Sequence, residues 1–298
     1  MPIAIVFNPI SGAGRALAAA QRLRTGLEAD GLDVELLPTE RAPAEQWLRP
    51  RLVPGIRAIV VAGGDGALRM VAPEAVRAGL PVWHAPCGTE NLFARAYGMT
   101  TDPHAVVAAL VAGRTTRVDL GRVNGEPFVL MASVGFDAEV VHELSRNRRG
   151  SISHLSYLRP ILRLLGSWRA SEVVWEIDGE AEALGPGLVV VGNHRDYGVR
   201  LNPACEAVPD DGLLDAVHIP VERAIGLLPW AALLRTGLHA RHPRVRMRRG
   251  RQVRIWLDPA AGVQCDGDAV LGGEVRRLDL HVEPRALEVL LPAPLRTR

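Results

Sequence analysis

The sequence predicts two domains: an α/β domain with a parallel sheet, then a β-rich domain with mainly antiparallel strands. Up to about residue 115, short apolar runs alternate with helical stretches, which is typical of parallel strands covered by helices. From about Thr116, closely spaced strands with hairpin signals take over. The length of 298 residues suits two domains, since one domain averages roughly 150. We therefore expect domains at 1–118 and 119–285, with residues 286–298 packing back onto the first.

Four strands are predicted in the first domain, and three of them run directly into a glycine-containing turn. The strands are Ile3–Phe7, Val34–Leu37, Ala58–Ala62 and Val82–Ala85. A helix starts at about Arg15, after the first of these turns. The turns after the first, third and fourth strands lie at the carboxyl ends of parallel strands, where open α/β sheets bind ligands. The pattern therefore favours a nucleotide site at this edge.

Hairpin signals and two helical stretches organise the second domain. Asn124-Gly125 and Asp178-Gly179 are dipeptides that favour two-residue hairpins. Helical stretches are expected from about Phe136 to Arg169 and from about Val221 to Leu238. The strands outside these stretches are expected to pair antiparallel.

The basic residues exclude several classes of enzyme, because all 35 of them are arginine and none is lysine. Walker-A phosphate loops, protein kinases, Schiff-base catalysts and Ser-x-x-Lys acyl enzymes all need a lysine. A hydrophobic content of 48% with 23% charged residues is ordinary for a globular protein with a sizeable core. The net charge of +2 is too small to indicate nucleic-acid binding.

The cysteines and the apolar runs indicate a cytoplasmic protein. Cys87, Cys205 and Cys265 form no close pair, which argues against disulfides and favours a reducing compartment. The longest apolar run, Ala224 to Leu234, is too short to span a membrane. The amino-terminal segment, Met1–Phe7, lacks the basic and apolar regions of a signal peptide.

The turn after the first strand reads Asn8-Pro-Ile-Ser11-Gly12-Ala-Gly14-Arg15. Its glycines let backbone N–H groups approach a phosphate, and the helix that follows adds a favourable dipole. An ordinary tight turn explains the same residues. The turn is not the dinucleotide fingerprint, because Leu17 stands where a third glycine belongs.

The turns after the third and fourth strands carry polar groups as well as glycines. In Gly63-Gly64-Asp65-Gly66-Ala67, the glycines allow a polyphosphate to approach the backbone, and Asp65 can orient Mg²⁺ directly or through water. The alternative is an aspartate that caps a helix. The fourth turn, Gly88-Thr89-Glu90-Asn91, supplies a hydroxyl and an amide, with Thr89 as a helix cap the alternative.

Four motifs follow one another along the chain: Asn8–Gly12, Gly63–Ala67, Gly88–Arg95 and Asp266-Gly267-Asp268. Together they resemble the diacylglycerol kinase catalytic-domain family, which includes bacterial diacylglycerol kinases and the sphingosine and ceramide kinases, and is distantly related to NAD kinases. The family patterns are Asn-Pro-x-Ser-Gly, Gly-Gly-Asp-Gly-Thr, Gly-Thr-x-Asn-Asp-x-Ala-Arg and Asp-Gly-Glu. The resemblance covers nearly the whole chain.

The resemblance implies a nucleotide-binding first domain, a lipid-substrate second domain, and ATP and Mg²⁺ as cofactors. It places Asp65 in the water network of Mg²⁺-ATP. The residues it places around the nucleotide are Asn8, Ser11, Gly12, Thr39, Gly63, Gly64, Asp65, Gly66, Gly88, Thr89 and Asn91.

The resemblance also implies that a carboxylate near the carboxyl terminus takes the proton of the substrate hydroxyl, with Asp268 the first candidate and Asp266 the second. A carboxylate suits this task because an alcohol is barely ionised at neutral pH. A plain hairpin turn is the alternative, since Asp-Gly is a leading turn signal. Asp137 matches a family motif that faces the substrate head group, and a helix cap is the alternative there.

A second metal site is implied at the segment Pro209-Asp210-Asp211-Gly212, which matches a family segment that holds a structural Mg²⁺ in some bacterial members. The ligands would be the carboxylate of Asp211 and the backbone carbonyls of Val208 and Leu213. Oxygen ligands from a tight turn suit a hard cation. A turn without metal remains the alternative.

The chain departs from the family patterns at five positions. Ala67 stands where the family has threonine, Arg69 and Met70 replace an Asn-Glu pair, and Leu92 replaces an aspartate. Asp268 shortens the usual glutamate by one methylene, and a displaced base can cost much of the rate. These departures bear on activity more than on fold.

Two segments suggest contact with a membrane surface. After Ser145–Arg149, the stretch Ile152–Leu165 is amphipathic, with Arg159 and Arg163 among apolar residues and Pro160 as an interruption. A helix facing a core is the alternative. The second segment is the densest basic run, which favours an anionic membrane or a solvated strand face over nucleic acid, since aromatics are absent before Trp256. Its members are Arg241, Arg244, Arg246, Arg248, Arg249, Arg251 and Arg254.

These observations together predict an ATP- and Mg²⁺-dependent kinase that phosphorylates the hydroxyl of diacylglycerol or a sphingoid-like lipid. We expect a lipid alcohol as substrate, a cytoplasmic enzyme peripheral to the membrane, and no nucleic-acid partner; a homodimer is left open. The alternatives are a kinase of a soluble alcohol and a nucleotide- or lipid-binding homologue with impaired catalysis. A zinc site at His239-x-x-His242 is disfavoured because no cysteine or carboxylate stands nearby.

Overall fold

The structure, a computed structural model, describes residues 1–52, 54–146 and 154–294. Its internal contacts divide the described chain into two compact units. The first unit holds Met1–Val118 and the segment from Arg285 onward, and the second holds the described residues between Asp119 and Pro284. Within the described ranges, no helix is both long enough and apolar enough to cross a membrane.

The first unit is built on a parallel sheet with the strand order β2-β1-β3-β4. All residues of β1 and β3 are buried, as expected of central strands that are covered on both faces. The strands are β1 (Ile3–Phe7), β2 (Val34–Pro38), β3 (Ala58–Gly63) and β4 (Val82–Pro86). The helices are α1 (Arg15–Ala29), α2 (Ala44–Trp47), α3 (Asp65–Ala78), α4 (Leu92–Ala96) and α5 (Pro103–Ala112).

Local sequence signals explain where the last of these helices begins and ends. The side chain of Asp102 accepts a hydrogen bond from the backbone N–H of His104 at 3.0 Å, and Pro103 occupies the first helical position. Gly113 ends α5 in the left-handed conformation, with φ of 60°.

The second unit is an antiparallel β-structure with the strand order β11-β10-β9-β7-β12-β13. In addition, β8 pairs with β9 and β12, and β5 pairs with β6 and β13. The strands are β5 (Thr115–Val123), β6 (Glu126–Phe128), β7 (Met131–Val134), β8 (Ser171–Ile177), β9 (Glu180–Gly192), β10 (Leu214–Pro220), β11 (Arg246–Gly250), β12 (Gln252–Cys265) and β13 (Asp268–Leu290). The fold class expected from the sequence is therefore confirmed.

Three two-residue hairpins have an Asn-Gly or Asp-Gly pair at the turn, and both residues of each pair have positive φ. The φ values are 47° and 90° for Asn124-Gly125, 48° and 93° for Asp178-Gly179, and 50° and 86° for Asp266-Gly267. Positive φ at both positions defines the type I′ turn, whose twist matches that of the strands it joins. The turn residues therefore fix the register of these hairpins.

The described helices of the second unit fall within the two helical stretches that the sequence suggested. They are α6 (Phe136–Arg146), α7 (Leu158–Leu164) and α8 (Leu227–Thr236). Part of the predicted amphipathic segment, residues 147–153, lies outside the described residues. Pro160 does not interrupt a helix, because it lies in the first turn of α7, where a missing N–H removes no helical hydrogen bond.

Candidate active site

The three glycine turns of the first unit meet backbone to backbone. A methyl group added at Gly88 would lie 2.7 Å from the Cα of Gly64, and one at Gly12 would lie 2.9 Å from the carbonyl oxygen of Cys87. Gly12 also has φ of 59°, which favours glycine. The turns after β1, β3 and β4 thus contact one another through backbone atoms at the carboxyl edge of the sheet.

The side-chain amide of Asn91 stabilises the turn after β4 by bonding to both backbone groups of Gly88. The N–H of Gly88 donates to Oδ1 of Asn91 at 2.7 Å, and Nδ2 of Asn91 donates back to the carbonyl of Gly88 at 3.1 Å. Asn91 itself has φ of 51°, a left-handed conformation that asparagine tolerates. Asn91 therefore shapes the turn, and Thr89 lies inside the loop it closes.

Asp65 links the turn after β3 to the helix that follows β4. Its Oδ2 accepts the N–H of Leu92 at 2.9 Å and its Oδ1 accepts the N–H of Phe93 at 3.1 Å, so the carboxylate caps the first turn of α4. Asp65 is itself the first residue of α3. The side chain is only 10% exposed. Leu92 stands where the family has an aspartate, but it bonds to Asp65 only through its backbone N–H, which almost any residue could provide.

A buried histidine, His84, lies next to Asp65, and no sequence motif pointed to it. Nε2 of His84 lies 3.0 Å from the carbonyl of Gly63 and must donate to it, which leaves Nδ1 with a lone pair. That Nδ1 lies 3.9 Å from Oδ1 of Asp65 and has no hydrogen-bond partner among the described residues. Burial lowers the pKa of His84 even though the charge of Asp65 opposes the shift, so the ring is neutral.

The remaining residues predicted around the nucleotide lie at the same edge of the sheet. Asn8 Oδ1 accepts the N–H of Ile10 at 3.1 Å, and the Asn8 carbonyl accepts the N–H of Ser11 at 3.0 Å. Thr39 follows β2 and donates its N–H to Phe7 at 2.8 Å. Gly63 ends β3, and Gly66 lies in the first turn of α3. Arg15, the first residue of α1, donates from Nε to the carbonyl of Gly12 at 2.9 Å.

In the second unit, the carboxylate of Asp266 is engaged by backbone groups. It accepts the N–H groups of Val129 at 2.7 Å, Leu130 at 2.9 Å and Met131 at 2.9 Å. The residue is 9% exposed and has positive φ in the hairpin turn. Asp266 thus holds the chain that leads into β7 against the β12–β13 hairpin. Asp268 is the first residue of β13, opposite Cys265, and is partly exposed.

A buried polar network surrounds Asp137 at the start of α6. The hydroxyls of Ser133 and Tyr197 both donate to its Oδ2. Nε2 of Gln264 donates to Ser133 Oγ at 2.6 Å, and Oε1 of Gln264 accepts the N–H of Gly267 at 2.9 Å. The network therefore connects Asp137 to the hairpin turn that carries Asp266 and Asp268.

The other oxygen of Asp137, Oδ1, is buried and accepts no hydrogen bond from the described residues. An orphaned buried acceptor is costly and marks a place where a donor can bind. Burial, followed by the charge of Asp137, raises the pKa of Tyr197 well above its ordinary value, so its hydroxyl stays a donor. The sequence did not indicate a role for Ser133, Tyr197 or Gln264, because these residues come from separate segments and share no spacing pattern.

The expected metal ligand Asp211 contacts a guanidinium. Its Oδ1 accepts the N–H of Leu213 at 3.0 Å, and its Oδ2 is ion-paired with Arg249. Arg249 also lies 3.2 Å from the buried carboxylate of Asp215. A guanidinium between two carboxylates supplies the positive charge that a cation would bring, so this arrangement does not favour Mg²⁺. The site at Val208, Asp211 and Leu213 stays a prediction.

No set of three or more histidine, cysteine, aspartate or glutamate side chains within the described ranges is arranged to hold a metal. This does not bear against Mg²⁺ at a nucleotide, because Mg²⁺ is usually held by one or two carboxylates together with phosphate oxygens and water. A parallel α/β unit whose glycine turns leave backbone N–H groups at the carboxyl ends of its strands is suited to bind phosphate groups.

Comparisons with known proteins identify the family. Residues 2–123 match the family described as the diacylglycerol kinase catalytic domain, and residues 131–291 match the YegS C-terminal NAD kinase beta sandwich-like domain. A diacylglycerol kinase of Mycobacterium tuberculosis is 30% identical over 295 residues, covering 96% of this chain and 93% of its own. A protein of Pseudomonas aeruginosa named "Probable lipid kinase YegS-like" is 34% identical over 297 residues, covering 94% and 89%.

A solved structure of a diacylglycerol kinase from Bacillus anthracis has a TM-score of 0.66 with 16% identity, covering 97% of this chain and 96% of that one. At that identity the likeness shows the fold alone. The sequence matches carry the assignment: the chain belongs to the diacylglycerol kinase catalytic-domain family. It is a phosphotransferase that acts on an alcohol group, in a family of lipid kinases. The resemblance predicted from the four motifs is confirmed.

Proposed function

We propose that this enzyme transfers the γ-phosphoryl group of ATP, with Mg²⁺, to the hydroxyl of diacylglycerol or of a sphingoid-like lipid. The observation that carries the proposal is the convergence of the three glycine turns, where Gly88 approaches Gly64 too closely for any side chain. A phosphate chain needs such bare backbone, and catalysis of phosphoryl transfer consists mainly of positioning and charge stabilisation.

In this proposal the nucleotide lies against the turns that contain Gly12, Gly64 and Gly88. When bound, Mg²⁺ neutralises phosphate charge. Each oxygen of Asp65 accepts one backbone N–H and so keeps a lone pair for a metal-bound water. The role of Asp65 is then to fix that water and the start of α4 at once. Positive charge beyond the metal comes from arginine, since the chain has no lysine.

Asp268 is the residue we assign as proton acceptor for the lipid hydroxyl. Asp266 is the weaker candidate because three backbone N–H groups already occupy its carboxylate and stabilise its charged, unprotonated form. Asp137 presents the orphaned Oδ1, which suits a hydroxyl of the lipid head group. Gln264 ties these two parts together through Ser133 and the N–H of Gly267.

The test is a phosphoryl-transfer assay with labelled ATP and a panel of diacylglycerols and sphingoid bases in mixed micelles. We expect Mg²⁺-dependent labelling of a lipid. Asp268→Asn should lower kcat by roughly 10²- to 10⁴-fold, the usual contribution of a general base, while leaving ATP binding unchanged. Glu274→Gln, an exposed carboxylate on the same strand, serves as matched control and should retain the wild-type rate.

Absence of labelling on every lipid, in a preparation that binds ATP, would overturn the lipid-kinase proposal. Transfer to a water-soluble alcohol without micelles would favour the alternative substrate class. An Asp268→Asn enzyme with the wild-type rate would remove Asp268 from the mechanism without removing the function.

A further inference from the structure

Helix α8 turns an apolar side toward solvent. Trp230 and Leu234 are buried on its inner side. The outer side, together with the turns at both ends, carries exposed apolar residues where a surface helix normally has polar ones. We call these residues the α8 face: Ile225, Leu228, Pro229, Ala231, Ala232 and Leu238. Ile225, Leu228 and Leu238 are 63%, 65% and 52% exposed.

Arginines without acidic partners surround the α8 face. They are Arg223, Arg235, Arg241 and Arg244, all exposed, and within the described part of the chain none of them forms an ion pair. The only acidic residue between Pro220 and Val245 is Glu222. Positive charge at this place is therefore left uncompensated by the protein itself.

The basic run that begins at Arg241 behaves differently once it enters β11. Arg246 pairs with Glu182 at 3.2 Å, and Arg248 pairs with Glu180 at 3.1 Å. Arg249 and Arg254 likewise contact carboxylates, Asp211 and Glu176 respectively. Among the described residues, four of the five arginines from Arg246 to Arg254 are thus ion-paired, whereas Arg241 and Arg244, which precede β11, are not.

A cavity of about 450 Å³ opens beside the same helix. Its lining combines Val221, Ile225, Trp230 and Leu233 with the guanidinium-bearing Arg223 and Arg244 and one carboxylate, Glu222, so its net charge is positive. Apolar walls together with two cations suit a molecule that is apolar along its length and anionic at one end. A phospholipid has this chemistry.

The α8 face is joined to the second apolar helix of this unit. The N–H of Ala170 donates to the carbonyl of Glu222 at 3.0 Å, and Arg169 forms an isolated antiparallel bridge with Arg223. The chain before this bridge is α7, where Leu158 and Leu162 are 53% and 60% exposed. Apolar side chains thus project from the helices on both sides of one short bridge.

We propose that the α8 face docks this enzyme on the surface of an anionic phospholipid bilayer. The apolar side chains enter the interface, and the four unpaired arginines contact phosphate head groups, as in amphipathic helices that lie in a membrane surface. A second copy of the chain is a poorer occupant, because a twofold interface would set the same arginines against one another. This docking proposal rests on the proposed function, because a lipid alcohol substrate resides in such a bilayer.

The test is cosedimentation with large vesicles in the absence of ATP. Vesicles are made of phosphatidylcholine alone, or with about a third of phosphatidylglycerol, which supplies negative surface charge. The wild type should bind the anionic vesicles at least roughly tenfold better than the neutral ones, and added salt should weaken that binding. Ile225→Glu/Leu228→Glu should lose at least roughly tenfold in partitioning, because apolar contact is replaced by repulsion.

Val111→Glu is the matched control, because Val111 is 78% exposed on α5 of the first unit. It should bind vesicles like the wild type. A second variant, Arg241→Ala/Arg244→Ala, should retain weak binding but lose the preference for phosphatidylglycerol. All these side chains are exposed, so thermal unfolding should report folded protein in each case.

Equal vesicle binding by wild type and Ile225→Glu/Leu228→Glu would overturn the proposal, as would equal binding to neutral and anionic vesicles. A concentration-dependent dimer that Leu228→Glu abolishes, with no vesicle binding, would show that a second copy covers the face. Phosphorylation of a monomeric short-chain diacylglycerol is measured in parallel. Transfer without vesicle binding overturns docking alone, and vesicle binding without transfer to any lipid overturns the kinase proposal alone.

Discussion

His218 on β10 is a buried histidine, and neither ring nitrogen makes a hydrogen bond of ordinary geometry with the described residues. Its ring packs against Gly187, where an added methyl group would come within 2.1 Å of Nε2. Burial lowers the pKa of His218 from 6.5 to about 4; the backbone of Gly185 and the charge of Glu182 oppose this shift, and the charge of Arg246 adds to it. The folded protein therefore holds this ring neutral.

The lowered pKa predicts a loss of stability in mild acid. Below pH 6.5 the unfolded chain takes up a proton at this histidine, whereas the folded chain does so only near pH 4. The free energy of unfolding should therefore fall across this interval, by at most about 3 kcal/mol from this residue. Urea denaturation at pH 7 and at pH 4 measures the loss.

His218→Gln separates this residue from the other titrating groups. The variant has no ring to protonate, so its stability should change less than that of the wild type between the two pH values. Parallel pH curves for the two proteins would contradict the assignment.

At the scale of single elements, the close contact between Gly64 and Gly88 predicts how the nucleotide site responds to one added methyl group. Gly88→Ala would place that methyl 2.7 Å from the Cα of Gly64 and 2.9 Å from Oδ1 of Asn91, so the two turns must separate. A displacement near 1 Å can cost about 10²-fold in a positioned site, and we expect ATP affinity to fall at least roughly tenfold. Isothermal titration calorimetry measures the ATP affinity.

The control for this substitution is Gly166→Ala, since a methyl at Gly166 meets no atom within 4 Å and its φ is not positive. It should bind ATP as the wild type does. Unchanged affinity in Gly88→Ala would mean that the nucleotide does not rely on the junction of these two turns.

The sequence predicted elements well where one local preference decides the structure. Asn124-Gly125 and Asp178-Gly179 both form the hairpins they favour, because few other residue pairs accept positive φ twice in succession. The helical stretch after Phe136 was predicted less precisely, since apolar periodicity cannot show that α7 starts at Leu158 and ends at Leu164.

Contacts between distant segments are the part of the site that the sequence could not reveal. Asp137 was singled out by its motif, but Tyr197 and Gln264 reach it from 60 and 127 residues away. The same holds for Arg248. The sequence suggested that its basic run forms a solvated strand face, but it could not show that Arg248 pairs with Glu180, 68 residues away. Motifs therefore located the main residues, and their surroundings required the fold.

At the scale of the whole molecule, the first unit is made from two separate stretches of chain. The end of β13 returns to it, where Leu287 and Val289 are fully buried and Val289 pairs in parallel with Val82 of β4. This returning strand also meets the start of β5: the N–H of Leu291 donates to Arg114 at 2.8 Å, and Arg117 pairs with Glu288 at 3.0 Å. An antiparallel register through these two contacts puts Val118 opposite Leu287.

This arrangement makes the second unit resemble an insertion that can be cut out at a hairpin. Joining Val118 to Leu287 through an Asn-Gly turn should give a shortened protein that unfolds cooperatively, because the ladder between the two stretches is kept. It should retain ATP binding, measured by titration, and phosphorylate no lipid. A fragment that stops at Val118 should instead self-associate, since the edge of β4 would lose its neighbour.

If the fragment ending at Val118 were monomeric and as cooperative as the joined protein, the returning strand would not be needed for folding. If it aggregates as expected, the boundary between the units is defined by strand pairing and not by position along the chain. Fusion and library designs for this protein would then have to carry both stretches together, and the hairpin junction at Val118 would be a natural place to exchange one substrate-binding unit for another.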